Sequence, residues 1–198
     1  MKTRFAALAA AAVAAIVIAA PVQAAEKGEL LHDANVTVNH LKSDPAFATA
    51  ARMMRDAKAV YIVPHLVKGG FVFGAEGGSG VVLRRTGRGW GEPKFYDMTS
   101  ASFGFQAGLQ KAELVFIINS QRALDGIQAG ITVATLSSGA EGATTARGGD
   151  MVVWSSGTGL FGGIAFNGSA IMPDKDKNAT PTMGPEATAL RANLATVR

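Results

Sequence analysis

A chain of 198 residues with 24 glycines, no cysteine, 48% hydrophobic and 17% charged side chains excludes several classes at once. Without cysteine there is no disulfide framework, no thiolate-held zinc or iron–sulfur centre and no thiol nucleophile. The glycines follow no triplet period, which excludes collagen, and a charge-poor, apolar-rich chain buries enough surface to fold rather than stay disordered.

Residues 1–24 read as a secretory signal. Lys2 and Arg4 supply the positive start, Phe5 to Ala20 an uncharged apolar run, Pro21 a break, and Val22-Gln23-Ala24 a small-residue cleavage site after Ala24. A retained signal anchor is the other reading of the same pattern. Removal of this segment leaves 17 basic and 15 acidic side chains. So small an excess argues against nucleic acid, which calls for a clustered basic face.

Two helices open the mature chain. Leu30, Ala34, Val38 and Leu41 recur at helical spacing. Ser43-Asp44-Pro45 then punctuates, and a second helix runs to about Ala57 with Phe47, Ala50, Met54 and Ala57 inward. From Ala59 the period changes to strands. Val60-Tyr61-Ile62-Val63 ends at Pro64, and Phe71-Val72-Phe73, Val81-Val82-Leu83, an alternating run around Phe103 and Phe105, and Glu113 to Asn119 follow. Ser120 caps a short helix over SQRALDGIQ that Gly130 ends. Ile131 to Leu136 alternates, residues 137–149 form a loop, Met151 to Trp154 and Leu160 to Ile171 add strands, and a helix from Pro185 to Val197 closes the chain. With seven or eight short strands and no repeated βαβ spacing, the expected class is α+β: a mainly antiparallel, strongly curved sheet or small barrel or sandwich, with two N-terminal helices, one inserted helix and a C-terminal helix. The expected divisions are a signal peptide (1–24), an N-terminal helical segment (25–57), a β-rich core (58–174) and a C-terminal tail with its helix (175–198), with 25–198 as one globular domain.

All but Gly28 and Gly184 of the glycines lie between Gly69 and Gly168. Glycine within strands marks a bend, a bulge, or a place where another backbone or a ligand comes close. Curvature with aromatics filling the gaps, and a ligand lying on bare backbone, are both open readings. GAEGGSG at 74–80 is not a phosphate loop, because a Val-Val-Leu strand rather than a helix follows it and no Lys-Ser/Thr pair is in register. It reads as a tight hairpin or bulge. His32 and His40 are read as exposed helix positions, His65 has at most Ser79 as a distant partner, and neither a metal-ligand spacing nor a nucleophile elbow is present.

The most suggestive polar stretch is Arg84-Arg85-Thr86-Gly87-Arg88-Gly89-Trp90 with Lys94 after it. Three arginines and a tryptophan on one hairpin tip suit an anionic membrane surface, each basic group contributing about 1 kcal/mol. A solvated turn with Trp90 packed back on the sheet is the alternative. Arg52, Arg55 and Lys58 on the second helix are a second candidate group.

The segments AVYIVPHLVKGGFVFGAEGGSGVVL (59–83), GRGWGEP (87–93), ASFGFQAGLQKAELVFIINS (101–120) and SSGTGLFGGIAFNGSAI (155–171) resemble the SYLF family in order and spacing. Members of that family are lipid-binding domains, found also in a yeast actin-binding protein and in plant and animal proteins with phosphoinositide partners, and exported bacterial members carry a signal sequence. The resemblance implies a non-enzymatic module without cofactor or metal, periplasmic or secreted, peripheral to the membrane, whose partners are anionic phospholipids or phosphoinositides. A structural or protein-interaction role in the envelope, with a protein partner, is the alternative. The loop at 137–149 lacks the family's Gly-Pro form, and Met183-Gly184 stands where Tyr-Gly is common, so any family contacts there do not carry over. Nor does actin binding, which does not suit an exported bacterial protein.

Overall fold

The computed structural model describes residues 24–70, 73–87, 89–103, 108–130, 150–156, 159–161 and 170–197. Helix α1 (residues 24–43) leads into α2 (Phe47–Asp56), then β1 (Ala59–Gly70), β2 (Phe73–Thr86), β3 (Gly89–Trp90), β4 (Lys94–Phe103), β5 (Gly108–Ile118), α3 (Gln121–Gln128), β6 (Met151–Ser155), β7 (Gly159–Phe161), β8 (Ala170–Pro173) and α4 (Pro185–Ala195). The strands pair in the order β7-β6-β5-β1-β2-β4-β8, every pairing is antiparallel, and β3 adds to the end of β2. The α+β class expected from the sequence holds. The ladder of described strands is open, ending at β7 and β8, so the curved sheet is the form taken rather than a closed barrel.

Both faces of the sheet are covered. On one side Val60, Ile62, Val81, Leu83, Trp90, Phe95, Val115, Ile117 and Trp154 meet α1, α2 and α4 through Ala34, Val38, Met54, Leu190 and Leu194. On the other, Tyr61, Val63, Val82, Met98, Leu114, Phe116 and Ile171 pack under α3 through Leu124 and Ile127. Strand β1 is the middle of this stack, and Ala59 through Val63 are wholly buried. Burial on both faces explains why these strands read as unbroken apolar runs rather than alternating ones. Each large apolar side chain so buried is worth about 1.5–3 kcal/mol.

Several helix signals act as expected. Ser120 Oγ accepts from Ala123 N–H at 3.1 Å to cap α3, and Gly130, at φ +70°, follows its end. Asp44 Oδ1 accepts from Ala46 N–H at 2.7 Å between α1 and α2. On α1 the buried series is Leu31, Ala34, Val38 and Leu41, with Leu30 only partly buried beside it, a shift of one residue at its start.

The strands are longer than expected. Pro64 does not end β1, which continues to Gly70. Between Val63 and Leu66 β1 has one residue more than β5, and between Ile62 and Val67 one more than β2. A proline has no N–H for a ladder, so a bulge is where a central strand tolerates one. GAEGGSG is likewise strand, not turn: it lies within β2, alongside the bulge. A Cβ on Gly78 would come 2.6 Å from the His65 carbonyl oxygen, and one on Gly80 would overlap the Ile62 carbonyl and lie 2.7 Å from Tyr61 Cε2. These two glycines thus make room for the bulged backbone and the Tyr61 ring, the close-approach and curvature reading of the glycine excess. Phe71, Val72, Phe105, residues 131–149 and most of the expected 160–171 strand lie outside the described residues.

Gly80→Ala should therefore destabilise the protein by about 3 kcal/mol, the upper range for overpacking, or about 6–12 °C in Tm. Gly77→Ala, whose added Cβ would sit 3.6 Å from the Met98 carbonyl, should change stability by less than about 1 kcal/mol. Thermal melts of the two variants check the contrast.

Candidate functional site

The end of α2, the start of β1 and the end of β2 meet where the central strands end, along one margin of the sheet. Lys58 N–H donates to the Ile118 carbonyl and Arg85 N–H to the Lys58 carbonyl, both at 2.7 Å, and Ala59 stands opposite Arg84 in the ladder. The half-buried Arg85 side chain ties this edge together. Its guanidinium donates to the Met54 carbonyl in the last turn of α2 and stacks 4.0 Å above the Trp90 ring, its cross-strand partner. A cation on a helix's final carbonyls satisfies an otherwise orphaned acceptor and the negative end of the helix dipole. Burial pulls the Arg85 pKa down and nearby Asp56 pushes it back up; a guanidinium so placed stays charged.

Trp90 is only 2% exposed and belongs to the helix-side core. Its carbonyl accepts from Arg191 Nε of α4 at 2.8 Å. This corrects the hairpin-tip expectation: a buried indole is not available to sit among headgroups, and its role here is to hold Arg85. Arg84 and Arg85 also do not share a surface. Successive strand residues point to opposite faces, so Arg85 lies on the α2 side while Arg84 is exposed on the α3 side, where its charge acts on Tyr96.

Arg55, Lys58 and Arg84 are all exposed, and none has an ion-pair partner among the described residues. They border the same edge. The remaining expected residues are differently placed. Arg52 is exposed one turn earlier on α2 and donates to Thr49 Oγ1 at 3.0 Å. Lys94 pairs with Glu92 Oε1 at 3.1 Å, and the same oxygen accepts from Thr182 N–H at 2.6 Å. That backbone donor, helped by Lys94 against the opposing effect of burial, holds the Glu92 carboxyl below its usual range. Arg88 lies outside the described residues.

His32 and His40 are exposed, as the sequence suggests, yet all three histidines have acidic partners that the sequence does not reveal. Each joins α1 to another element through a carboxylate. His40 Nδ1 lies 2.9 Å from both oxygens of Glu113 on β5, where Thr37 Oγ1 also donates at 2.9 Å. His65 on β1 meets Asp33 at 3.0 Å, and His32 meets Glu186 on α4 at 3.7 Å. Glu113, the one acid beside the apolar run Leu114–Ile118, was the available sign of a partner approaching from outside the sheet. His65 and Ser79 are not joined, since Ser79 Oγ donates instead to Asp97 at 2.6 Å. Among the described residues no group of His, Asp and Glu is arranged to hold a metal, and no helix is long and apolar enough to cross a membrane.

Residues 99–181 match the family model described as "Ysc84: Las17-binding protein actin regulator". The chain is similar to LAS seventeen-binding protein 3 of Saccharomyces cerevisiae, 27% identical over 176 residues that cover 80% of this chain and 38% of the relative. It is also similar to SH3 domain-containing YSC84-like protein 1 of Bos taurus, 30% identical over 149 residues, 69% of this chain and 43% of the relative. The chain thus spans less than half the length of these relatives. No solved structure matches it.

The depressed Glu92 carboxyl carries a pH signature. Its folded pKa lies below the unfolded one, so the stability it contributes is complete above about pH 4.3 and is lost as pH falls through the folded value. Glu92→Gln should be less stable than wild type at pH 7, and the gap should narrow as pH falls below about 4.3, as followed by urea denaturation at each pH.

Proposed function

Because this chain carries a domain of the Ysc84/SYLF family, we propose that it is a peripheral, non-enzymatic binding module that docks on anionic phospholipid. The observation that carries this reading is the edge bordered by Arg55, Lys58 and Arg84, three exposed cations without an ion-pair partner among the described residues, with Asp56 the one acid between Arg55 and Lys58 along the chain. Arg85 and Trp90 support that edge from beneath. Near an anionic surface each cation is worth about 1 kcal/mol, and the attraction decays within a Debye length of about 8 Å at physiological salt. Three of them supply about 3 kcal/mol, a reversible and salt-sensitive attachment. Phosphoinositides, with more charge per headgroup, are the favoured targets under the same reasoning.

A second reading, a protein-interaction module of the envelope, draws support from the family description, which names Las17 binding and actin regulation. Under it, a partner would still be captured from envelope extract after lipid removal.

Co-sedimentation with vesicles of phosphatidylcholine with and without phosphatidylserine separates the readings. Wild type should pellet with the anionic vesicles only, and less as salt rises. Arg55→Ser/Lys58→Ser/Arg84→Ser should bind about 100-fold more weakly, the equivalent of some 3 kcal/mol. Equal pelleting of the two proteins would refute the site, and equal binding to both vesicles would refute the electrostatic mechanism. The reading also places the module outside the cytoplasm, so the purified mature protein should begin at Ala25 on N-terminal sequencing.

A further inference from the structure

Lys27 is the most deeply buried charged residue described, 9% exposed. Its ammonium donates to Thr180 through the backbone carbonyl at 3.2 Å and Oγ1 at 2.9 Å, and lies 5.6 Å from the Phe95 ring. No carboxylate is within ion-pair distance of it among the described residues. Its hydrogen bonds go only to neutral oxygens, and the carboxylate whose pKa it helps to lower, Glu92, is bonded to Thr182 N–H and Lys94 instead; a largely buried ammonium gains from a counter-charge in direct contact.

Lys27 and Thr180 line a cleft of about 370 Å³ that the start of α4 closes on its other side. Helix α4 begins after Gly184, which offers no side-chain acceptor to the amides of its first turn. Pro185 opens this 11-residue helix without an N–H, so the free donors of the first turn are the amides of Glu186 and Ala187, beside the Glu186 carboxylate; amides so placed favour an anion. A separate feature of the same cleft agrees. Thr182, 6% exposed, also lines it, and its hydroxyl has no hydrogen-bond partner. Two carboxylates beside the cleft have other partners: Glu92 is bonded to Thr182 N–H and Lys94, and Glu186 at the cleft wall lies 3.7 Å from His32. Leu31, Met183 and Ala187 supply apolar walls.

We propose that this cleft binds a small oxyanion, a carboxylate or phosphate ester, held between Lys27 and the first amides of α4. Any apolar part of the ligand would rest against Leu31 and Met183. The site shares no residue with the basic edge and does not depend on membrane docking.

Amide chemical-shift titrations of the whole protein with inorganic phosphate, hexanoate and hexanol test it. At least one anion should give saturable shifts at Glu186 and Ala187, while hexanol should not. Phosphate alone would indicate phosphate esters, and hexanoate alone carboxylic acids. Lys27→Met should weaken the response about tenfold or more, as expected for losing a charge-assisted hydrogen bond. Lys27→Gln, which removes the charge while keeping a donor for Thr180, should do the same and carries the test if Lys27→Met does not fold. No saturable shift with either anion, an equal response to hexanol, or unchanged affinity in the folded variant would overturn the proposal.

Discussion

The architecture depends on one constraint: β1 is central in the sheet and buried on both faces, yet must carry an extra residue. Between Ala59 and Val63 it pairs in register with both β2 and β5 and supplies apolar side chains to both cores. At Pro64-His65 it bulges, and the strand beyond must shift against two neighbours at once. Only a neighbour without side chains accommodates that displacement, which is what Gly78 and Gly80 provide. The proline, the bulge and the two glycines are one device. Its product is a bent sheet that leaves space for the Tyr61 ring, stacked 5.4 Å from Phe116, where Cβ atoms would otherwise stand.

The same strand sets the basic edge. Because β1 begins just after α2, Lys58 enters the ladder with its backbone bonded on both sides, to Ile118 and Arg85. The helix end is therefore fixed relative to the sheet by backbone as well as by Arg85. The exposed cations stand at the margin of this rigid corner.

Much of this was legible in the sequence, and the failures have definite causes. Apolar runs identified β1 and β5, and Ser120 with Gly130 bracketed α3, because burial and capping are local signals. The extension of β1 past Pro64 was not legible, since what tolerates the proline is a bulge defined by two other strands. Likewise, Arg84 and Arg85 read as one patch in sequence, whereas strand alternation sends them to opposite faces. The acidic partners of the three histidines are not legible because each lies on another element, far along the chain. Lys27 gave no sequence signal at all: on α1 it is one charge among several, and only the return of residues 180–187 encloses it.

The burial of Trp90 changes the kind of docking this edge can support. An exposed tryptophan would add an interfacial anchor, with apolar area entering the headgroup region and binding that outlasts changes in salt. Packed beneath Arg85 instead, the indole contributes to the core and to the orientation of the helix end. What remains at the surface is charge on a fixed frame. In the docking proposed above, such a surface would select by charge density of the target rather than by depth of insertion. Because the cleft beside α4 and the basic edge share no residue, the two proposed sites are separate points of recognition rather than one site.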